Sequence, residues 1–135
     1  MAHRDVIDAH ALIWFLVGSP KLGADARVVL NDPDGALYLP VIALAEACWV
    51  VEKGKAATIP SVAALLKAVD ADERVVIVPL DRPVLDLSHT LTAIPEMHDR
   101  LIVATALALS VPGDSVALLT ADAAITASGL VPIVW

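Results

Sequence analysis

At 135 residues the chain has the length of one ordinary domain, expected over 1–135, and 58% hydrophobic residues against a usual ~45–50% leave ample material for a large core and hint at a buried partner face. Nine Lys plus Arg against 16 Asp plus Glu give a net charge of −7, which argues against a nonspecific nucleic-acid binder that works by neutralising many phosphates. Cys48 is the only cysteine, so no internal disulfide can form, and no apolar run reaches the ~18 residues of a membrane span. A cytoplasmic protein that stays off the membrane is the expectation.

The chain opens on Met1-Ala-His-Arg followed by the apolar stretch 11–17, a faint likeness to a secretory leader that Asp5 and Asp8 interrupt. A strand is expected over 5–7 and a helix over 10–16, then a helix over 24–30 and a strand over 36–39. Pro40 punctuates the passage into a helix over 41–53, which ends at Gly54. A helix over 62–69, a strand over 75–78 and a helix over 82–91 follow. The last third reads as a helix over 100–109, a strand over 116–119, a short helix over 121–127 and a strand over 132–134. Short apolar strands alternating with helices imply a parallel sheet covered on both faces, an α/β architecture of about five strands. With one Phe and one Tyr, its core must be aliphatic. Trp14, Trp49 and Trp135 each lie in apolar runs and read as core residues before RNA-stacking platforms.

Four acids sit inside or against the most apolar stretches. Glu46 is the sole charged side chain in the run 41–51, so its helix cannot turn a wholly polar face to water. An isolated ionised carboxylate there costs several kcal/mol unless it is paired, neutralised or metal-bound. Asp8 and Asp122 fall just beyond expected strands, at the carboxyl ends where parallel sheets bind ligands. Asp99 opens a helix. Taken singly each acid has a plain alternative: a helix cap or first-turn acid for Asp99, and for Glu46 an acid snorkelling at the helix edge or ion-paired with Lys53 or Arg100. Together they point to a site where mutual repulsion would hold protons on some of them unless a cation intervenes. Oxygen donors with retained waters suit Mg²⁺ or Mn²⁺; one cysteine and dispersed histidines make structural zinc a poor fit. His10 is expected to pack or hydrogen-bond at its helix start, and His98 to face solvent beside the site.

The blocks Asp5-Val-Ile-Asp8-Ala-His-Ala-Leu-Ile-Trp14, Leu44-Ala-Glu46, Glu96-Met-His-Asp99-Arg-Leu-Ile-Val-Ala-Thr105 and Leu118-Leu-Thr120-Ala-Asp122 resemble, in order and spacing, a PIN-domain protein of the bacterial VapC toxin type. The resemblance spans nearly the whole chain. It implies a Rossmann-like three-layer α/β/α sandwich, a Mg²⁺- or Mn²⁺-dependent endoribonuclease, a homodimer, and a cognate antitoxin that blocks the site. Carried over by position, it makes Asp8, Glu46, Asp99 and Asp122 the metal-binding and catalytic acids, with Glu96 and Thr120 in second rank. Ala9, where relatives often carry Thr or Ser, and the lack of a polar residue near Pro40 and Ala43 depart from the pattern and are expected to alter substrate contacts more than metal binding. The expected chemistry is metal-assisted phosphodiester hydrolysis, with Glu46 completing the ligand set or accepting a proton from the attacking water. Two rival classes are a PIN-like RNA-binding or scaffold module without catalysis, and a different acidic α/β phosphotransfer domain. The latter would want an Asp-x-Asp pattern at Asp8 and a late lysine, but position 10 is His10 and no lysine follows Lys67.

Overall fold

Branched and aliphatic residues in short runs, each stopped by Pro, Gly or an acid, make strands too short to fold alone, and the chain pairs them through long crossovers. The computed structural model describes residues 2–135; Met1, at the head of the leader-like stretch, lies outside the described residues. In chain order the elements are β1 (His3–Ile7), α1 (Ala9–Val17), α2 (Ala24–Asn31), β2 (Leu37–Pro40), α3 (Val41–Glu52) and α4 (Val62–Ala71). They continue with β3 (Val75–Val78), α5 (Arg82–Ser88), α6 (Met97–Leu109), β4 (Ser115–Leu119), α7 (Ala123–Ser128) and β5 (Ile133–Val134). Each segment expected from the sequence is present.

The sheet is entirely parallel, in the order β3-β2-β1-β4-β5. β1 is central and pairs with β4 along its full length, from His3 opposite Ser115 to Ile7 opposite Leu119. The chain walks outward from β1 through β2 to β3, then jumps back across β1 to β4 and β5. Right-handed crossovers therefore put α1 to α4 on one face and α5 to α7 on the other. Contacts of α1 with α3, of α3 with α4 and of α5 with α6 agree with that division. The order reverses between β1 and β4, and a crevice opens there at the strands' carboxyl ends.

The core is aliphatic, as composition requires. Val6, Ile7, Leu39, Leu118 and Leu119 are fully buried on the central strands, with Leu30, Leu65, Ile102 and Ile125 packed from the helices and Ile94 from the loop before α6. Each such side chain contributes roughly 1.5–3 kcal/mol by leaving water. Trp14 and Trp135 pack against this core. Trp49 does not: it is 59% exposed on α3, with the Lys53 ammonium 4.3 Å from its ring centre. Its run is apolar on all sides, so periodicity could not tell which side would face out.

Two helix ends differ from expectation by three residues, the others by two at most. α6 begins at Met97 rather than near residue 100, because Glu96 caps it by accepting a hydrogen bond from the Asp99 N–H at 3.1 Å; the polar first turn hides the helical period. α5 stops at Ser88 rather than 91, where the N–H groups of Thr90 and Leu91 turn to the carbonyls of Leu87 and Ser88.

Candidate functional site

Asp8 and Asp122 are placed by the two adjacent central strands. Each lies just past a strand end and caps the next helix: Asp8 Oδ1 accepts from the Ala11 N–H at 2.8 Å, and Asp122 Oδ1 from the Ile125 N–H at 2.8 Å. One oxygen of each carboxylate is thus pinned by backbone, which orients the group. Asp8 is buried, and burial raises its pKa. Hydrogen bonds from Thr120 and the Ala11 N–H pull it back, as does His10, while Asp122 pushes it further up.

Glu46 and Asp99 come from α3 and α6, helices that touch each other although they belong to opposite faces of the sheet. Of the two plain roles open to Asp99, the cap belongs to Glu96 and the first-turn acid to Asp99. Nor is Glu46 paired with a cation: Arg100 donates its Nε–H to the Ile94 carbonyl, and Lys53 lies over Trp49. Glu46 Oε1 is buried with no hydrogen-bond partner. An unsatisfied buried acceptor costs ~1–3 kcal/mol. Burial lifts Glu46 to about 7, with Asp99, Glu96 and Asp8 adding repulsion and His98 opposing. Burial likewise lifts Asp99 to about 6, with help from Asp122, Glu96 and Asp8. Repulsion among the acids acts in the direction the sequence suggested, but desolvation is the larger cause at each of these three carboxyls.

All four acids line one cavity of about 240 Å³, together with Ala9, His10, Trp14, Ile102 and Ala121. A larger open groove of about 1040 Å³ runs along α2, past Lys21, Arg27 and Asp32, and holds none of the four. The four acids are gathered in the smaller cavity. Four of its side chains offer carboxylate oxygens against one imidazole, His10, a balance that suits a hard divalent cation better than zinc or copper, and Glu46 Oε1 is an acceptor lacking a donor. As placed, no three His, Cys, Asp or Glu side chains among the described residues close on one point. Mg²⁺ and Mn²⁺ fit such a set because they retain waters and need only one or two protein carboxylates.

The PIN domain family matches the sequence over residues 6–127. The chain belongs to the PIN domain family. Solved structures share its fold. FitAcB from Neisseria gonorrhoeae superposes with a TM-score of 0.60 at 20% identity, covering 96% of this chain and 95% of that one. FitAB bound to an IR36 DNA fragment gives 0.59 at 19%, covering 96% and 92%. The T. brucei RRP44 PIN domain gives 0.54 at 17%, covering 98% and 75%. At these identities the likeness speaks to fold alone. No curated protein matches the chain.

The second-rank residues of this PIN domain do other work than lining the cavity. Glu96 caps α6 and holds His98 Nδ1 at 2.8 Å; burial pushes its carboxyl up, but the bonds from Asp99 and His98 outweigh burial and leave it lowered. Thr120 is fully buried and accepts from the Asp122 N–H at 3.1 Å, tying the strand end to the cap. His98 is part-exposed beside the site, as expected. His10 packs on Trp14 at the start of its helix, in line with expectation, and is at the same time exposed and part of the cavity lining. The four-residue spacing from His10 to Trp14, one helix face, was the signal that could have joined them.

Proposed function

We propose that this PIN domain is a Mg²⁺- or Mn²⁺-dependent endoribonuclease, acting as the toxin of a toxin–antitoxin pair. The observation that carries the reading is the convergence of Asp8, Glu46, Asp99 and Asp122, from four separate elements, on one cavity at the switch point of the sheet, with a Glu46 oxygen buried and unpartnered. PIN domains are generally nucleases, which supports hydrolysis; the sequence blocks shared with VapC toxins support RNA as substrate, a homodimer, and an antitoxin partner.

Asp8, Asp99 and Asp122 are the carboxylates that would hold the cation, with Glu46 completing the set. Bound there, the metal supplies positive charge against the phosphate and makes an attacking water more acidic. The backbone bonds at Asp8 and Asp122 hold one oxygen of each and so fix the orientation of the carboxylate. Glu46, with its pKa near 7, is suited to accept a proton at its unpartnered Oε1. Beside the acids, Ala9, Trp14, Ile102 and Ala121 give the wall an apolar part, and His10 a polar ring.

Purified protein stripped of any partner, incubated with total cellular RNA and Mg²⁺ or Mn²⁺, is expected to give discrete cleavage products. Chelation and Asp99→Asn, with the fold verified, are expected to abolish them; activity surviving either treatment refutes the metal-site assignment. That the side chains do not already close into a ligand cluster favours a second reading, a PIN-like module that binds RNA without cutting it. RNA binding without cleavage or Mn²⁺ affinity would select that reading.

A further inference from the structure

The cavity that holds the acids has no Lys or Arg in its lining, and the whole chain has 9 such residues against 16 acids. At the cavity itself no basic side chain can neutralise a phosphate, so beyond the cation a contact of another kind is needed there to position the strand. Stacking on an aromatic ring is the contact that works without charge and without sequence preference. The cavity has such a surface. His10, exposed on the first turn of α1, stands 5.3 Å from Trp14 at 50°, and Trp14 meets Trp135 edge-on at 5.7 Å and 64°. The three rings form a ladder whose outer rung lines the cavity beside Asp8 and whose base packs on the core. Its foot is fixed by Gly23, where an added Cβ would lie 2.7 Å from Trp135 Cδ1. Lys21 places an ammonium 5.8 Å from the Trp14 ring centre, the single cation along the ladder's flank among these contacts.

Building on the nuclease reading, we propose that His10, propped on Trp14 and Trp135, is the stacking platform that holds an unpaired nucleobase of the RNA next to the carboxylate cavity. The substrate strand must therefore be single-stranded or looped where it enters, because a base within a helix has no free face.

The test uses Asp99→Asn protein to prevent cleavage, with fluorescently labelled oligo(A), oligo(U) and an abasic ribose-phosphate strand, read by anisotropy at fixed salt. His10→Ala is expected to weaken oligo(A) binding roughly 5- to 150-fold, the range for loss of one stacked base, while leaving the abasic strand unchanged. His10→Phe is expected to restore oligo(A) binding to within a few-fold, because a ring suffices. Equal oligo(A) affinity for His10→Ala and its parent overturns the proposal, and so does a His10→Phe variant as weak as His10→Ala, since the imidazole would then act by charge or proton transfer. If wild-type protein cleaves cellular RNA while His10→Ala cleaves and binds equally well, the platform fails and the nuclease reading stands. Failure of every form to bind or cut RNA removes both.

Discussion

Replacing Glu46 by Gln separates what this residue contributes to function from what it costs the fold. Its carboxyl has an ordinary value of 4.5 and is lifted to about 7 by burial and by neighbouring acids. Because the folded-state value lies above the unfolded one, the folded protein holds the extra proton. Stability is therefore favoured below pH 4.5, falls as the pH rises from 4.5 toward 7, and carries the full penalty above 7. A tenfold protonation preference is worth ~1.4 kcal/mol, which sets a ceiling of about 3 kcal/mol. Glu46 is only half-buried, so solvent screening reduces this to about 1–2 kcal/mol. Gln keeps the shape and removes the charge. In chelated protein at pH 8, Glu46→Gln is expected to raise the melting temperature by about 4–8 °C and to flatten the decline expected of the wild type between pH 5 and pH 8. Thermal unfolding followed by circular dichroism reads this directly, and cleavage measured in parallel should be lost. A variant that melts at or below the wild type at pH 8, with the same pH dependence, would refute the claim that this buried acceptor is strained.

Asp99→Asn is expected to cut RNA hydrolysis by at least about 100-fold while preserving the fold, checked by cleavage rate and circular dichroism, since even residues that only support a metal ligand cost that order. At Asp122 the cap and the charge can be told apart. Asp122→Asn keeps a capping oxygen and should melt near the wild type, whereas Asp122→Ala should lose about 0.5–2 kcal/mol by urea unfolding, both being inactive. Saturating Mn²⁺ at ~100 times its dissociation constant should stabilise the wild type by about 2.7 kcal/mol and Asp99→Asn much less; an equal shift in both would point to binding elsewhere. Gly23→Ala forces its Cβ into Trp135 and is expected to cost about 1–3 kcal/mol, with the change in tryptophan fluorescence reporting displacement of the chain end from Trp14.

The sequence alone determined the alternation of strands and helices, because short apolar runs of period two or none, and Pro and Gly between them, are local signals. It also singled out Asp8, Glu46, Asp99 and Asp122 as acids in the wrong company, since the cost of burying a charge can be read from neighbours along the chain. Boundaries were less legible where polar residues opened a helix, as at Glu96 to Asp99, because a capped first turn has no apolar period. The outward turn of Trp49 was hidden for the opposite reason, its helix being apolar on all sides. Only the tertiary structure decided that Glu46 and Asp99, 53 positions apart on helices from opposite faces, meet at the crevice between β1 and β4, and that Glu46 finds no cation there. It also decided that the ring His10 packs on is Trp14, and that His10 stands exposed at the cavity. Chain-local patterns record what each residue prefers, whereas the order in which strands pair fixes which distant residues share a cavity, and no local preference encodes that.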